Sequence, residues 1–111
     1  MWLRAYGLQT ILVRVVSTVI EGDFEWDSAK AEANLRKHRV SFFEAATVFA
    51  DPSAVYLDDG SGLGILVVVI GTSLRERILY VVHVQRGARD RIISARPAER
   101  GERAVYESEK P

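Results

Sequence analysis

The 111-residue sequence predicts one small α+β domain in which two helices precede a twisted antiparallel sheet of about four strands and a last helix closes the chain. Three observations predict it. Apolar residues recur at helical spacing between Asp27 and Phe49, the period changes to two beyond Pro52, and helical spacing returns after Pro97. With 48% hydrophobic and 27% charged residues the chain has an ordinary globular composition, and its length suits a single core.

The apolar stretch Met1 to Ile20 stands apart. Arg4 and Arg14 interrupt it, and its longest uncharged run, Ala5 to Val13, is too short to span a bilayer and has no clean cleavage site after it. No membrane partner is expected. The β-branched residues of Ile11-Leu12-Val13, Val15-Val16 and Thr18-Val19-Ile20 read either as an extra edge strand or as an upstream extension. Residues 1–22 are therefore set aside as an N-terminal extension, and 23–109 as the domain.

Asp27 is a good N-cap for a helix running to about Lys37, with Ala31, Leu35 and His38 toward the core. Ser41-Phe42-Phe43-Glu44 reads as a capping box, and Phe42, Ala45, Ala46 and Phe49 form the apolar stripe of a second helix that Asp51-Pro52 stops. Val55 and Leu57 alternate with polar neighbours in a first strand. A glycine-rich turn from Asp58 to Gly64 leads to Ile65–Ile70, an apolar run suited to a strand covered on both faces. Arg77 to Gln85, the turn Arg86-Gly87-Ala88, and Arg89 to Ala95 make a hairpin. Arg96-Pro97 then opens the last helix, with Ala98, Glu102, Val105 and Tyr106 along one side.

The chain has no cysteine, which excludes disulfides, thiolate metal sites and thiol nucleophiles and fits the reducing cytoplasm. Its two histidines, His38 and His83, lack partners at metal-binding spacing, so neither a metal nor a cofactor is expected. Net charge is zero but unevenly spread: four acids and no base lie between Glu21 and Asp27, against eight arginines and four acids between Arg75 and Arg103. Arginine makes up twelve of the fifteen basic residues, and its planar fork binds phosphate oxygens two at a time.

Lys30, Asn34, Lys37 and His38 fall at i, i+4, i+7 and i+8 on the first helix, a stripe that suits an anion or is simply a solvated helix face. His83 shares a strand face with Leu79 and Val81, where a half-buried, hydrogen-bonded histidine is the ordinary outcome. Alternation from Arg89 puts Arg91, Ile93 and Ala95 on one face and Asp90, Ile92 and Ser94 on the other. An arginine beside isoleucine needs a partner, so Arg91 and Arg96 either hold a ligand or pair with Glu99 or Glu102. Gly60, Gly62 and Gly64 lack the lysine and following helix of a phosphate loop.

The segments FEWDSAKAEANLRKHRVSFFEAATVFADP and RGARDRIISARPAERGERAVYE resemble the BrnT-type toxins of bacterial toxin–antitoxin modules. The FEWD, KxxxNxxKH, EAATVF, IG and RIISAR elements occur in order over roughly residues 23 to 107. The resemblance implies a RelE-like fold and a ribonuclease toxin that cleaves RNA and inhibits translation. It implies as partner a cognate BrnA-like antitoxin that blocks the active face and binds operator DNA only as a complex. Carried over by position, it marks Lys30, Asn34, Lys37 and His38, then Arg86, Arg91, Ser94 and Arg96, and finally Glu102. Catalysis would fall to Arg96, Arg91, His83 and His38, and RNA binding to Lys30, Asn34, Lys37, Arg86 and Ser94. Without a metal, the 2′-hydroxyl would attack its own phosphate while one group removes its proton, another protonates the leaving 5′-oxygen and cations hold the developing charge.

Four positions depart from the family pattern. Gly62-Leu63-Gly64-Ile65-Leu66 stands where members carry a YGExR-like element, which removes one acid/base group and one phosphate clamp. Arg39 replaces a glycine after KH, where a left-handed cap would cost about 1 kcal/mol. Asp90 occupies an apolar strand position, and Gly101 costs the last helix about 1 kcal/mol relative to alanine. The first departure opens an alternative, a decayed toxin that keeps the fold and binds RNA or antitoxin without turnover. A small interaction domain whose arginines only form ion pairs is a third.

Overall fold

The computed structural model describes residues 17–58 and 66–108. Six strands form one sheet: β1 (Thr18–Glu21), β2 (Phe24–Asp27), β3 (Val55–Asp58), β4 (Leu66–Thr72), β5 (Ile78–Arg86) and β6 (Arg89–Pro97). Their order is β1-β2-β6-β5-β4-β3. Three helices, α1 (Ser28–His38), α2 (Phe42–Thr47) and α3 (Arg100–Ser108), flank it, and a 3-10 turn (Val48–Ala50) follows α2. The expectation of about four antiparallel strands is corrected twice. The acidic Phe24–Asp27 segment, outside the four expected strands, is itself a strand, and it pairs with β6 in parallel. Phe24-Glu25-Trp26 alternates apolar and acidic, which is what a strand between two faces requires.

Asp27 ends β2 and caps α1, its carboxylate accepting from the Ala29 amide at 2.9 Å. Arg39 closes α1 in the left-handed region at φ 59, so the arginine that replaces glycine is strained as expected. Of the proposed capping box, Ser41 does accept from the Glu44 amide at 3.0 Å. The Glu44 side chain, though, does not turn back on its own helix. It is buried, takes the Arg77 guanidinium and the Ser73 hydroxyl (2.7 Å), and so ties α2 to the β4–β5 turn.

The sheet is covered on both faces. Against one lie α1 and α2, with Trp26, Val40, Phe42, Ala45, Val48, Val69, Leu79, Val81, Ile92 and Ala95 as the buried core. Burying such side chains contributes about 1.5–3 kcal/mol each for the larger ones. On the other face, α3 presses Ala98 and Tyr106 onto Val68 and Ile70. Tyr106 donates to Asp51 at 2.6 Å, and the Asp51 carboxylate also accepts the Thr72 amide at 2.8 Å, so α3 is pinned to β4. Gly71 belongs to that junction: a Cβ there would meet Ala54, Asp51 and the Val48 carbonyl at 3.2–3.3 Å. Two boundaries differ from expectation. Leu35 is exposed while Asn34 is buried, and β6 runs through Pro97, so α3 starts at Arg100 rather than at the proline.

Candidate functional site

A β-bulge decides which side chains meet. Between Val82 and His83 the register shifts, so His83 pairs with Ile92 and Val82 with Ser94, leaving Ile93 as the extra residue on β6. Strict alternation therefore fails there. Ile92 and Ala95 both face the α1/α2 core, whereas Arg91, Ser94 and Arg96 share the opposite face with Tyr80, Val82, Val84 and Arg86 of β5. The grouping of Arg91 with Ile93 and Ala95 is corrected accordingly.

On that face Arg96 lies 4.1 Å over the Tyr80 ring and makes a two-pronged contact with Glu102 at 2.8 and 2.7 Å. Glu102 also accepts the Glu99 amide at 2.8 Å, capping α3 while it holds the arginine. The hydrogen bonds from Arg96 hold the Glu102 carboxyl below its usual range, and Glu102 raises Arg96 in return. Nearer the β5–β6 turn, Arg91 donates to Glu25 at 2.7 Å, and Arg86 approaches the same carboxylate at 3.8 Å. Glu25 is the register partner of Arg91 across the parallel β2–β6 pair.

The other candidates lie elsewhere. Lys30 and Lys37 are exposed on α1 and His38 is half-buried at its end, all on the element that packs against the reverse face. Asn34 does not join them in solvent. Its amide nitrogen donates to the carbonyls of Val40 (2.9 Å) and Ala95 (2.7 Å) and its oxygen accepts from the Ala95 amide (3.1 Å), clamping α1 to β6. His83 faces the α1/α2 side, against Phe49 with ring centroids 4.8 Å apart. Its Nδ1 is 3.2 Å from Asp90, and its Nε2 is buried without a partner. Burial pushes His83 below its ordinary value, against the opposing pull of Asp90. The sheet thus separates His83 from the arginines. The Gly62–Ile65 part of the departure from YGExR lies outside the described residues. No group of three or more His, Asp or Glu side chains converges on a metal position among those described.

Sequence reasoning missed Glu25, Tyr80 and the Asp90–His83 contact. Glu25 was legible in principle, since strand alternation between Phe24 and Trp26 turns it to the far face. Tyr80 was hidden inside an apolar run.

A six-stranded sheet with two helices on one face and one on the other places the chain among small α+β domains. It resembles the crystal structure of the Brucella abortus ribonuclease toxin BrnT with a TM-score of 0.55 and 23% identity, over 68% of this chain and 94% of that one. Residues 26–102 match the family described as the ribonuclease toxin, BrnT, of type II toxin–antitoxin systems, and the chain belongs to that family. Comparison with curated proteins finds no match. Among the described residues no helix is long and apolar enough to cross a membrane.

Proposed function

We propose that this chain is an RNA-cleaving toxin that inhibits translation in the cytoplasm and is neutralised by a cognate protein antitoxin, which meets operator DNA only as the complex. Beside family membership, one observation supports it: Arg86, Arg91, Ser94 and Arg96 share one sheet face although the sequence spreads them over two strands. Guanidinium groups held there suit a phosphodiester whose charge grows as the 2′-hydroxyl attacks, and one well-placed donor of this kind is typically worth about 3 kcal/mol in the transition state.

Proton transfer needs groups on the same face. Tyr80 and Glu102, both in contact with Arg96, meet that condition, and His83 does not. Glu102 is a weak base while Arg96 holds it, and it becomes a stronger one when phosphate takes the arginine. His38, Lys30 and Lys37 are assigned to RNA or antitoxin contact at the periphery, and Asn34 to positioning β6.

Induced expression without a partner should arrest growth and lower protein synthesis, and purified protein should cleave single-stranded RNA but not DNA, which lacks the attacking hydroxyl. Normal growth with soluble, folded protein present would favour the decayed-toxin alternative.

A further inference from the structure

We propose that Arg86, Arg89 and Arg91, organised by Glu25, form a phosphate-binding subsite for the RNA backbone, separate from the Arg96–Glu102 pair and some way along β6 from it. The inference rests on the reading of the chain as a ribonuclease, but its central observation is a charge imbalance that holds independently.

The partly buried arginine–glutamate pairs elsewhere in the described structure are matched one to one. Arg77 meets Glu44, and Arg96 meets Glu102 with both prongs. Glu25 differs, because one buried carboxylate receives Arg91 at 2.7 Å and Arg86 at 3.8 Å. Arg86 and Arg89 are in addition direct cross-strand partners at the end of the β5–β6 hairpin, and like charges opposite one another destabilise a sheet. Among the described residues Arg89 reaches only a backbone carbonyl, that of Gly22, at 3.4 Å. Of the nearby acids, Asp90 is turned to the other face by its contact with His83, and neither Glu21 nor Asp23 forms an ion pair among the described residues. Two guanidinium groups therefore share one carboxylate, and a third, Arg89, stands opposite Arg86 on the same face, an arrangement that an anion would complete.

Glu25 has a definite part in this. Its partner Arg91 is only 16% exposed and could not choose its own direction, whereas Arg86 is 64% exposed and free to swing onto a ligand. The carboxylate fixes Arg91 as the rigid half of a clamp and tethers Arg86 loosely as the mobile half, which makes Glu25 a positioning residue. At about 3.3 Å per strand residue, Arg91 stands roughly 15 Å from Arg96 along β6. A single strand of RNA lying along that strand would meet the clamp at one phosphate and the Tyr80–Arg96 pair at another. Guanidinium forks take carboxylate and phosphate oxygens alike, so an acidic peptide is the competing occupant that the test separates from RNA.

The test uses two probes on the whole chain. Inorganic pyrophosphate, followed through the side-chain Nε–H signals of the arginines by NMR, should shift Arg86, Arg89 and Arg91 and leave Arg75, in the β4–β5 turn, in place. A fluorescein-labelled 12-nucleotide oligouridylate carrying 2′-O-methyl groups, which cannot be cleaved by its own 2′-oxygen, should bind several-fold more weakly to Arg86→Ala and Arg91→Ala. Each should lower the slope of log affinity against log salt by about 0.7, the single-strand value for one lost phosphate contact. Arg75→Ala should bind as wild type. Glu25→Gln should bind this probe at least as tightly as wild type yet cleave an unmodified oligonucleotide more slowly, with Glu25→Asp recovering part of the rate. A merely structural Glu25 would instead lose binding and cleavage together. Wild-type protein that cleaves RNA while pyrophosphate leaves all three arginines unmoved would overturn the subsite alone. Tighter binding of hexaglutamate than of pyrophosphate at these arginines would overturn it in favour of an acidic protein partner. Pyrophosphate shifts at the three arginines with no RNA bound or cleaved would keep the anion site and remove the ribonuclease reading.

Discussion

Asn34 and Arg96 show how far a side chain's role depends on what surrounds it. On a helical wheel Asn34 belongs with two lysines and a histidine, yet in the fold it satisfies three backbone groups of Val40 and Ala95 that would otherwise be buried unpaired. Asn34→Ala should cost about 3 kcal/mol or more, since stranding buried backbone groups is more damaging than losing an exposed hydrogen bond. Urea unfolding checks this, and a loss below about 1 kcal/mol would mean water replaces the amide. Arg96 is the converse case. Its contacts with Glu102 and Tyr80 are partly solvated, at 29% and 22% side-chain exposure for the ion pair, so screening reduces their worth. Arg96→Ala should cost about 1–2 kcal/mol in stability as well as impairing RNA cleavage. An unchanged urea midpoint would show that the arginine serves phosphate alone.

At the scale of elements, α3 offers a prediction because its sequence is locally inconsistent with its structure. Gly101 lies in the first turn of that helix, and a Cβ placed there meets nothing within 4 Å. Gly101→Ala should therefore stabilise the protein by about 0.4–1 kcal/mol, by lowering the freedom of the unfolded chain. Circular-dichroism melting checks it, and a lower midpoint would mean the helix meets a surface that a methyl group obstructs. The same local logic explains what could be read beforehand. The caps Asp27 and Ser41, the Phe42–Phe49 stripe and the β5–β6 hairpin follow from rules acting within a few residues, and the sequence displays them. The β2 strand was missed because its four residues abut a strong N-cap signal, and its parallel partner is more than sixty residues away. The bulge at His83 was missed for a related reason. One extra residue inverts every side chain beyond it, and nothing in Arg-Ile-Ile-Ser-Ala-Arg says which isoleucine is left over. The candidate arginines were legible as residue types. Their shared face, and the counter-ions that hold them, appear only once the strands are in register.

For the whole molecule, three groups in different layers make stability depend on pH in two separate windows. Glu44 is held below its ordinary value of 4.5 chiefly by the Arg77 hydrogen bonds, and Glu102 chiefly by those from Arg96, with burial opposing both. A carboxyl whose folded value is depressed contributes stability that is present above its unfolded value and is lost as pH falls through the folded one. His83 works higher on the scale. Burial depresses its folded value below the ordinary 6.5, so as pH drops the unfolded chain takes up the proton first and stability starts to decline there. The decline from His83 stops once the folded chain is protonated too, and the carboxylate losses set in below about 4.5. Urea midpoints should thus be level well above the ordinary histidine value of 6.5, fall modestly below it, and fall steeply below about pH 4.5. His83→Phe, which keeps an aromatic ring against Phe49 and removes the titrating group, should abolish the first decline and leave the second. Arg77→Met should keep the first decline, lower stability at neutral pH and partly flatten the acid limb, because Glu44 then has no paired charge to lose while Glu102 keeps its own. If the variant without His83 shows the first decline as the wild type does, another group is responsible, whereas wild-type protein that gains stability as pH falls through the ordinary histidine value would show that Asp90 rather than burial governs the imidazole.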